Sequence, residues 1–573
     1  MPLLEVKDLA ISFLSKGKVI NAVEGISFST EKGETLGILG ESGSGKTVTA
    51  LSLLGLLPKR QSVVSGQILF HTDNTSVDLL SLEEDKLRPY RGNNISMIFQ
   101  EPMTSLNPVI TCGKQVMEVI RLHRRLTKNI AKERTIDWFA EVQLPRPEEI
   151  FCSYPHQLSG GQRQRVMIAM AMACMPSLLI ADEPTTALDV TVQKTILDLM
   201  VHLREKYRTG IIFISHDIGV ISQIADRICI MKKGKIVEEG QSGTILNHPH
   251  DPYTKGLLAC RPPLNSRPKR LLTVQDYLAD PKSDEDHMED VTAEDYSSQK
   301  RINRLQDLYV QKPLLVINNL SKRYDSSKSL HGNKRQFIYA VDNVSFEVYK
   351  GETVGLIGES GCGKTTLGRT ILRLVESSGG DVIYNGVKIS TLNRKETRHL
   401  RNKMQIIFQD PYSSLNPRIT AGEAISEPLW LNSTCTDKIT IKKKTCELLT
   451  KTGLDGSYYN RYPHELSGGQ RQRVVIARAL ATSPEFIICD ESVSALDVSV
   501  QAQVLNLLNS LKEEFSLTYI FISHDLAVIK YMCDRIIVMK DGKIIETGES
   551  DHLYDNPSSD YTKSLIESVP VII

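Results

Sequence analysis

Two glycine-rich segments, each ending in lysine and threonine, have a pattern suited to binding phosphate groups. Each follows a short aliphatic run and precedes a stretch with helical spacing, which predicts a strand, a loop and the start of a helix. In that arrangement backbone N–H groups and a helix N-terminus face phosphate oxygens, the lysine bridges the β- and γ-phosphates, and the threonine hydroxyl is a ligand of Mg²⁺. The segments are Gly40, Glu41, Ser42, Gly43, Ser44, Gly45, Lys46 and Thr47, and Gly358, Glu359, Ser360, Gly361, Cys362, Gly363, Lys364 and Thr365.

Two acid pairs, Asp182–Glu183 and Asp490–Glu491, each end an apolar run typical of a buried strand. Unpaired buried carboxylates are costly, so these acids predict a metal ion and a reacting water. The aspartates would help to hold Mg²⁺ from outside its directly bound ligands. The glutamates would polarise the attacking water as general bases.

Further polar residues follow other apolar runs. His216 and His524 stand at the same offset from the two acid pairs, which favours contacts with the γ-phosphate over a structural role. Gln100 and Gln409 each precede an acid–proline turn. Glutamine can contact both a metal ion and a water, so a loop pivoting there could sense the γ-phosphate. The spacing alone leaves a simple turn residue as an open alternative.

The segment Leu-Ser-Gly-Gly-Gln precedes an apolar helical pattern in both halves and predicts a second anion-binding helix N-terminus in each domain. One phosphate group cannot use two such ends from a single domain. The economical arrangement is therefore two domains facing head to tail, each offering this segment to the nucleotide of the other. The residues concerned are Ser159, Gly160, Gly161 and Gln162, and Ser467, Gly468, Gly469 and Gln470.

These motifs recur in the same order and with nearly the same spacings, so the chain is a tandem duplication of one whole domain. We expect a first domain at residues 1–262 and a second at 314–573. Between them, residues 271–312 carry ten acidic and five basic side chains and few aliphatic ones. This composition predicts that residues 263–313 are a flexible, largely unstructured acidic linker.

Composition places limits on the class of protein. The 573 residues need more than one hydrophobic core, and the formal net charge of +1 is unlike that of a dedicated nucleic-acid binder. No apolar stretch is long enough to span a membrane, and the N-terminus lacks a signal-peptide pattern. Ten scattered cysteines without CxxC spacing suit a reducing compartment.

The order of glycine loop, glutamine, LSGGQ, Asp–Glu, ALD and histidine resembles the nucleotide-binding domain of ATP-binding cassette proteins. The resemblance covers residues 1–262 and 314–570. It implies an α/β fold with two tandem cassettes, each a RecA-like core with an antiparallel β-subdomain and an α-helical subdomain carrying LSGGQ. It also implies that Phe13 and Tyr324 stack on adenine, and that Asp189 and Asp497 lie in the conserved loop after the acid pair.

Finer features resemble the oligopeptide/dipeptide/nickel importer family, namely YPHxLSGGQRQRV, the QEPMTSLNP and QDPYSSLNPR segments, and PYTKGLL after the first cassette. The two types of ATPase subunit that are separate chains in many importers of this family appear fused here, as in glutathione-type importers. This implies ATP hydrolysis energising peptide import, two permease subunits, an extracytoplasmic solute-binding protein and peripheral attachment to the cytoplasmic side of the inner membrane. Some relatives carry an iron–sulfur centre after PYT, but only Cys260 lies in that region, so no cluster is expected.

Fused cassettes without membrane segments also occur as ribosome-associated translation factors, which form the alternative. Those factors resemble this chain in outline but carry a long basic linker that reaches RNA. Phosphate would repel the acidic linker of this chain, so no nucleic-acid partner is expected.

The segments after the two glutamines are candidates for contacting membrane partners, because each joins a proline-bounded turn to apolar residues. A loop attached to a γ-phosphate sensor could transmit closure to such a partner. The apolar residues concerned are Met103, Leu106 and Val109, and Tyr412, Leu415 and Ile419.

Overall fold

The structure, a computed structural model, describes residues 1–15, 18–72, 75–100, 105–186, 188–279, 298–325, 337–432, 437–494 and 496–569. Its contacts divide the chain into two units, Met1–Leu258 and Ala259–Val569. Each unit has its own apolar core and the mixed α/β architecture that the motifs predict.

The described residues of the first unit form ten strands in two sheets. An antiparallel sheet has the order β2-β1-β4-β5, and a six-stranded sheet has the order β10-β9-β3-β8-β7-β6. In the larger sheet only β10 is antiparallel to its neighbour. The strands are β1 (Leu4–Ser15), β2 (Lys18–Thr30), β3 (Thr35–Leu39), β4 (Ser62–His71), β5 (Ser76–Asp78), β6 (Ile95–Ile98), β7 (Leu178–Asp182), β8 (Gly210–Ser215), β9 (Arg227–Lys232) and β10 (Lys235–Gln241).

Helices α3 to α6 of the first unit pack on one another and form the helical subdomain. The last of them, α6, begins at LSGGQ. The helices are α1 (Lys46–Leu53), α2 (Glu84–Leu87), α3 (Cys112–Arg124), α4 (Lys128–Glu141), α5 (Pro147–Cys152), α6 (Gly160–Met172), α7 (Val190–Tyr207), α8 (Ile218–Ile224), α9 (Ser242–Asn247) and α10 (Pro252–Ala259).

The second unit repeats this topology, with sheet orders β12-β11-β14-β15 and β16-β17-β18-β13-β19-β20. Its strands are β11 (Leu315–Asp325), β12 (Phe337–Val348), β13 (Thr353–Ile357), β14 (Gly379–Tyr384), β15 (Val387–Lys388), β16 (Met404–Ile407), β17 (Phe486–Asp490), β18 (Thr518–Ile522), β19 (Arg535–Lys540) and β20 (Lys543–Glu549). The antiparallel strand β20 again closes one edge of the larger sheet.

Among the described residues of the second unit, helices α11 and α12 precede the first strand, and α13 to α22 follow it. They are α11 (Val274–Ala279), α12 (Ser298–Tyr309), α13 (Lys364–Ile371), α14 (Arg394–Lys403), α15 (Pro411–Ser414), α16 (Ala421–Asn432), α17 (Lys438–Lys451), α18 (Gly468–Leu480), α19 (Val498–Phe515), α20 (Leu526–Met532), α21 (Ser550–Asp555) and α22 (Asp560–Glu567). No helix among the described residues combines the length and apolar character that crossing a membrane requires.

The described part of the predicted linker is structured, which differs from the expectation for residues 263–313. Arg267 donates to the backbone carbonyls of Lys530 and Cys533, at the end of α20. The backbone of Leu271 exchanges two hydrogen bonds of 2.8 Å each with the side chain of Asn506. Specific contacts of this kind stabilise a segment whose average composition is too polar for a core of its own. Residues 280–297, which carry most of the acidic side chains, lie outside the described part.

Helix α12 adds a second attachment of the same segment to the second unit. Its Leu305 and Leu308 are buried, and Arg304 donates to Asp534 Oδ1 at 2.9 Å and to the carbonyl of Gly351 at 2.9 Å. Arg301 forms ion pairs with Glu549 and Asp551. The segment defined by residues 259–279 and 298–309 is therefore part of the second unit, and we call it the docked segment.

Candidate functional site

The two glycine-rich segments leave the carboxyl ends of β3 and β13, which are central strands buried along their whole length. Each segment leads directly into a helix, α1 or α13, as the sequence predicts. A side chain at Gly40 would place its Cβ 2.2 Å from the carbonyl oxygen of Met231, and Gly40 has a φ of 158°. A Cβ at Gly358 would likewise lie 2.2 Å from the carbonyl oxygen of Met539. Glycine is therefore required at the start of each loop.

The loop lysines are buried and donate to the carbonyls of their own loops. Lys46 Nζ donates to Gly40 O at 2.7 Å and Glu41 O at 2.9 Å. Lys364 Nζ makes the same two bonds, at 2.7 and 2.9 Å, to Gly358 and Glu359. Each ammonium group thus lies inside the turn of the loop, where a bound phosphate group could take over from the carbonyl oxygens.

Parallel strands β3, β8, β7 and β6 end at one edge of the sheet, and this edge collects the other predicted residues. The hydroxyl of Thr47 donates to Asp182 Oδ1 at 3.2 Å, and that of Thr365 donates to Asp490 Oδ1 at 2.8 Å. Each contact joins a helix N-terminus to a strand end more than a hundred residues away in sequence.

Both aspartates are buried. Burial raises the pKa of Asp182 to about 6, and the bond from Thr47 opposes this rise. Burial likewise raises the pKa of Asp490. A buried carboxylate with a raised pKa is stabilised by a nearby cation. Hydroxyl, carboxylate and amide oxygens are also the donors that Mg²⁺ prefers, so this donor set fits that ion.

Glu183 lies among the glutamine and histidine predicted to join it. Gln100 Nε2 donates to Glu183 Oε2 at 2.9 Å, and His216 Nδ1 lies 3.0 Å from Glu183 Oε1. Burial alone would raise the pKa of Glu183, but the hydrogen bond and charge of His216, with the Thr186 hydroxyl and the Lys46 charge, outweigh burial and lower it. The carboxylate is therefore ionised at neutral pH, as a general base must be.

The second cassette repeats this cluster. Gln409 Nε2 donates to Glu491 Oε2 at 2.6 Å, and His524 Nδ1 lies 3.6 Å from the same oxygen. Burial opposes protonation of His524, but its hydrogen bond to Glu491 and that residue's charge raise the histidine pKa. Both glutamates have left-handed backbones, with φ of 46° at Glu183 and 48° at Glu491. Non-glycine residues in this conformation are strained, which is typical of functional sites.

The LSGGQ segments begin α6 and α18 with reciprocal caps. Ser159 Oγ accepts from the Gln162 backbone N–H at 3.2 Å, while Gln162 Oε1 accepts from that of Ser159 at 3.0 Å. Ser467 and Gln470 form the same capping box. The second glycine of each segment also has a packing role, because a Cβ at Gly161 would lie 2.6 Å from Val192, and one at Gly469 would lie 2.3 Å from Val500.

Asp189 and Asp497, which follow the acid pairs in sequence, occupy the N-cap positions of α7 and α19. Asp189 Oδ1 accepts from the backbone of Val192 at 2.9 Å and from the hydroxyl of Thr191 at 2.7 Å. A cap of this kind stabilises the first turn of the helix.

The predicted adenine-stacking residues lie at equivalent ends of β1 and β11. Phe13 is half-buried and packs against the first apolar core, with Ile20 as its partner on β2. The Tyr324 side chain is 44% exposed, and the ammonium group of Lys322 lies 5.0 Å from the ring centroid. The Tyr324 ring is therefore more exposed than the Phe13 ring.

The structure adds residues that the sequence motifs did not single out. The Thr186 hydroxyl donates to Glu183 Oε2 at 3.0 Å, and the Ser494 hydroxyl donates to the backbone oxygen of Glu491 at 2.9 Å. Two tyrosines that follow the last motif of each cassette, Tyr253 and Tyr561, contact the phosphate-binding loops. The repeated Tyr-Thr-Lys triplet at these positions was the available signal in the sequence.

The apolar residues after the glutamines divide into two groups. Leu106 and Leu415 are buried core residues, whereas Val109 is 77% exposed and Tyr412 is 52% exposed. Met103, predicted to contact a membrane partner, lies outside the described residues.

Comparison with known proteins finds family matches in both halves of the chain. A family model described as ABC transporter matches residues 23–186 and 341–494. A second, described as oligopeptide/dipeptide transporter, C-terminal region, matches residues 237–284 and 545–573. Among solved structures, the ATP-binding cassette MJ0796, a dimer in a post-hydrolysis state with ADP and Pi, is 32% identical over 41% of this chain and 98% of its own, with a TM-score of 0.38.

Curated relatives extend over nearly the whole chain. The glutathione import ATP-binding protein GsiA of Pectobacterium atrosepticum is 44% identical over 99% of this chain and 89% of its own length. The GsiA proteins of Escherichia coli K12 and Salmonella choleraesuis are 44% and 45% identical with the same coverage. The resemblance inferred from the motifs is thereby confirmed. With both cassettes matched by the family model and 99% of the chain aligned with relatives about 44% identical, the chain belongs to the ABC transporter family and is an ATPase of that family.

Proposed function

We propose that this chain is the ATP-hydrolysing subunit of a membrane importer for peptides, with glutathione-like tripeptides as one solute class. The single observation that carries this proposal is the 44% identity, over 99% of this chain, with glutathione import ATP-binding proteins. The match of both post-cassette regions to the oligopeptide/dipeptide transporter model supports the same solute class.

In this proposal each cassette binds ATP with its glycine loop, and Phe13 or Tyr324 stacks on the adenine. Thr47, Gln100 and Asp182 would hold Mg²⁺ in the first cassette, and Thr365, Gln409 and Asp490 in the second. The bound ion would neutralise charge on the transferred phosphoryl group. Glu183 and Glu491 take a proton from the attacking water, because each is an ionisable carboxylate held at the strand end.

The histidines and glutamines keep each glutamate in place. The bonds from Gln100 and His216 leave Glu183 oriented at the sheet edge, and Gln409 and His524 do the same for Glu491. When ATP binds, the lysine ammonium groups would move from the loop carbonyls to the β- and γ-phosphates. Hydrolysis then removes the γ-phosphate contact that Gln100 and Gln409 sense.

We further propose that the two cassettes close head to tail within one chain, so that the Lys46 loop faces Ser467 and the Lys364 loop faces Ser159. The reciprocal caps of the LSGGQ helices give each cassette a preformed helix N-terminus that could meet an anion.

Cysteines placed at Ser42 and Gly468, in a background without reactive thiols, should cross-link within a monomer when ATP is bound. The matched control pair, Ser42 and Gly160, joins positions of the same cassette and should stay unlinked. The measurement is the mobility of intramolecular and intermolecular products on a denaturing gel, with and without ATP. Purely intermolecular products would show that two chains, not two halves, form the sandwich.

The partners proposed are two permease subunits and an extracytoplasmic solute-binding protein, with this chain bound peripherally at the cytoplasmic face of the inner membrane. Neither the family models nor the relatives reported above point to the ribosome-associated alternative. Affinity purification from solubilised membranes tests the proposal directly. Recovery of permease subunits supports it, and co-sedimentation with ribosomes instead would contradict it.

Tyr412 is the exposed residue through which we expect the second cassette to contact a permease. The change Tyr412→Asp should lower recovery of permease subunits at least about fivefold, because a charge desolvated at an interface is costly. The isolated chain should tolerate it, since Arg471 lies over the ring at 5.3 Å and can pair with the new carboxylate.

Val387→Asp is the control, because Val387 is similarly exposed, at 50%, but lies on the edge strand β15. Permease recovery is compared with ATP binding and with the thermal midpoint of each variant. Equal loss of nucleotide binding and stability in Tyr412→Asp would mean that the tyrosine is structural and that the contact lies elsewhere.

A further inference from the structure

A tyrosine that follows each cassette in sequence contacts the phosphate-binding loop of that cassette. The backbone N–H of Glu41 donates to Tyr253 Oη at 3.3 Å, and that of Glu359 donates to Tyr561 Oη at 3.1 Å. The two residues of each pair lie about two hundred positions apart in sequence. The same contact thus occurs in both copies of the duplicated domain.

Each tyrosine is held firmly on a short helix, α10 or α22. Asp251 Oδ1 accepts from the Tyr253 backbone N–H at 2.8 Å, and Ser559 Oγ accepts from that of Tyr561 at 3.2 Å. Tyr253 is 1% exposed. A lysine ammonium group lies 4.7 Å from each ring centroid, contributed by Lys232 and Lys540. Such cation–π contacts fix the orientation of the ring and hence of its hydroxyl.

A glutamate on the antiparallel edge strand holds the chain immediately before each of these helices. Glu238 accepts from the backbone N–H groups of His250 and Asp251 at 2.7 and 3.2 Å. Glu546 accepts from those of Ser558 and Ser559 at 2.7 and 3.1 Å. A continuous series of contacts therefore runs from the edge strand through the post-cassette helix to the loop.

The tyrosine and the loop lysine hold opposite sides of the same residue. Lys46 binds the carbonyl of Glu41, while Tyr253 binds its N–H; Lys364 and Tyr561 do the same at Glu359. The tyrosine bond does not involve the lysine, so it persists when the ammonium group moves to a phosphate. It can keep the first turn of the loop in its binding conformation during that exchange.

We propose that Tyr253 and Tyr561 are positioning residues, which use the post-cassette helix to hold the phosphate-binding loop ready for the β- and γ-phosphates. This inference rests on the proposed assignment of the loops as the ATP sites. The post-cassette region then affects how tightly each cassette binds ATP, although its residues do not belong to the cassette motifs. Because the loop meets phosphates and not the base, the effect is confined to phosphate-bearing nucleotides.

The test is Tyr561→Phe in a chain whose first site is disabled by Lys46→Ala, with Tyr253→Phe in a Lys364→Ala chain as the reciprocal arm. Equilibrium binding of ATP, ADP and adenosine is measured with the full-length protein. We expect ATP and ADP to bind about fivefold more weakly, the loss typical of one hydrogen bond, with adenosine binding unchanged. The thermal midpoint should match that of Tyr531→Phe, a control in which a hydrogen-bonded hydroxyl of the second unit is removed away from the loop.

Three results would overturn the inference: unchanged ATP binding in both arms, equal weakening of adenosine, or the same loss in Tyr531→Phe. Failure of the site assignment itself is recognised separately. If the double variant Lys46→Ala and Lys364→Ala still binds ATP at full affinity, the loops are not the ATP sites, whatever the tyrosine variants do.

Discussion

Replacing either glutamate at the strand ends, by Glu183→Gln or Glu491→Gln, should lower steady-state ATP turnover by at least about 100-fold while ATP remains bound. General-base catalysis typically contributes factors of about 10²–10⁴, and glutamine cannot take the proton of the attacking water. The change keeps the size of the side chain, so the contact with Gln100 or Gln409 can persist in altered form. The measurement is phosphate release, together with the nucleotide retained after rapid gel filtration.

Each single variant is expected to trap a closed, ATP-bound form, because every predicted catalytic role is filled in both cassettes. Glu485→Gln is the matched control: Glu485 pairs with Lys403 at 2.8 Å outside the site, so turnover should be unchanged. A glutamate variant with full ATPase and transport activity would show that its site is not needed for the cycle.

The second large effect concerns the stability of the second unit. Asp534→Asn should lower its free energy of unfolding by about 3 kcal/mol, because breaking a buried ion pair leaves unpaired charges. Asp534 is buried, and it accepts from the Thr353 backbone at 2.8 Å, from Lys512 at 3.2 Å and from Arg304 at 2.9 Å. Hydrogen exchange at Thr353 in the full-length chain, followed by mass spectrometry, measures this loss.

The first unit provides the control for that variant. Asp226 occupies the equivalent position and accepts from Thr35 and Arg204 at 2.8 Å each, but its side chain is 50% exposed. Asp226→Asn should therefore cost less than about 1 kcal/mol, as exposed ion pairs usually do. Equal losses in the two variants would contradict the larger cost that we assign to the buried ion pairs of Asp534.

The pH dependence of the Asp534 effect follows from its pKa. Burial alone would raise that pKa, but Lys512, Arg304, the Thr353 N–H and Arg267 lower it to about 2. Because the folded-state pKa lies below the unfolded value of about 3.8, the carboxylate stabilises the fold above about pH 4, and this is lost as pH falls towards about 2. The difference between wild type and Asp534→Asn should narrow over the same interval.

The sequence predicted those parts of the site that depend on local pattern. The strand, glycine loop and helix around Lys46, the acid pair at Asp182, and the capped helix at Ser159 all follow from short motifs with known backbone requirements. The clustering of Gln100, Glu183 and His216 also follows, since each comes directly after a strand of one parallel sheet. Because every motif is duplicated, the same predictions applied to the second cassette.

Features that depend on contacts distant in sequence could not be predicted in this way. The bond between Tyr253 and Glu41 needs the position of a helix relative to the loop, which no periodicity encodes. The left-handed backbone of Glu183 is imposed by the fold, and the residue type at this position does not indicate it, because it is not glycine. The polar, acidic composition of residues 263–313 predicted a flexible linker because composition reports an average, whereas a few residues such as Arg267 and Arg304 form the contacts that dock the segment.

The docked segment determines where the gene could be divided without separating this segment from its contacts in the second unit. Expressing the halves as two polypeptides with a break after residue 262 would leave Arg267, Leu271 and Arg304 on the second polypeptide and preserve their contacts with Cys533, Asn506 and Asp534. A break between residues 280 and 297 would give residues 259–279 to the first polypeptide, which would then carry a peptide ligand for the second. Two such polypeptides would be expected to associate even without nucleotide.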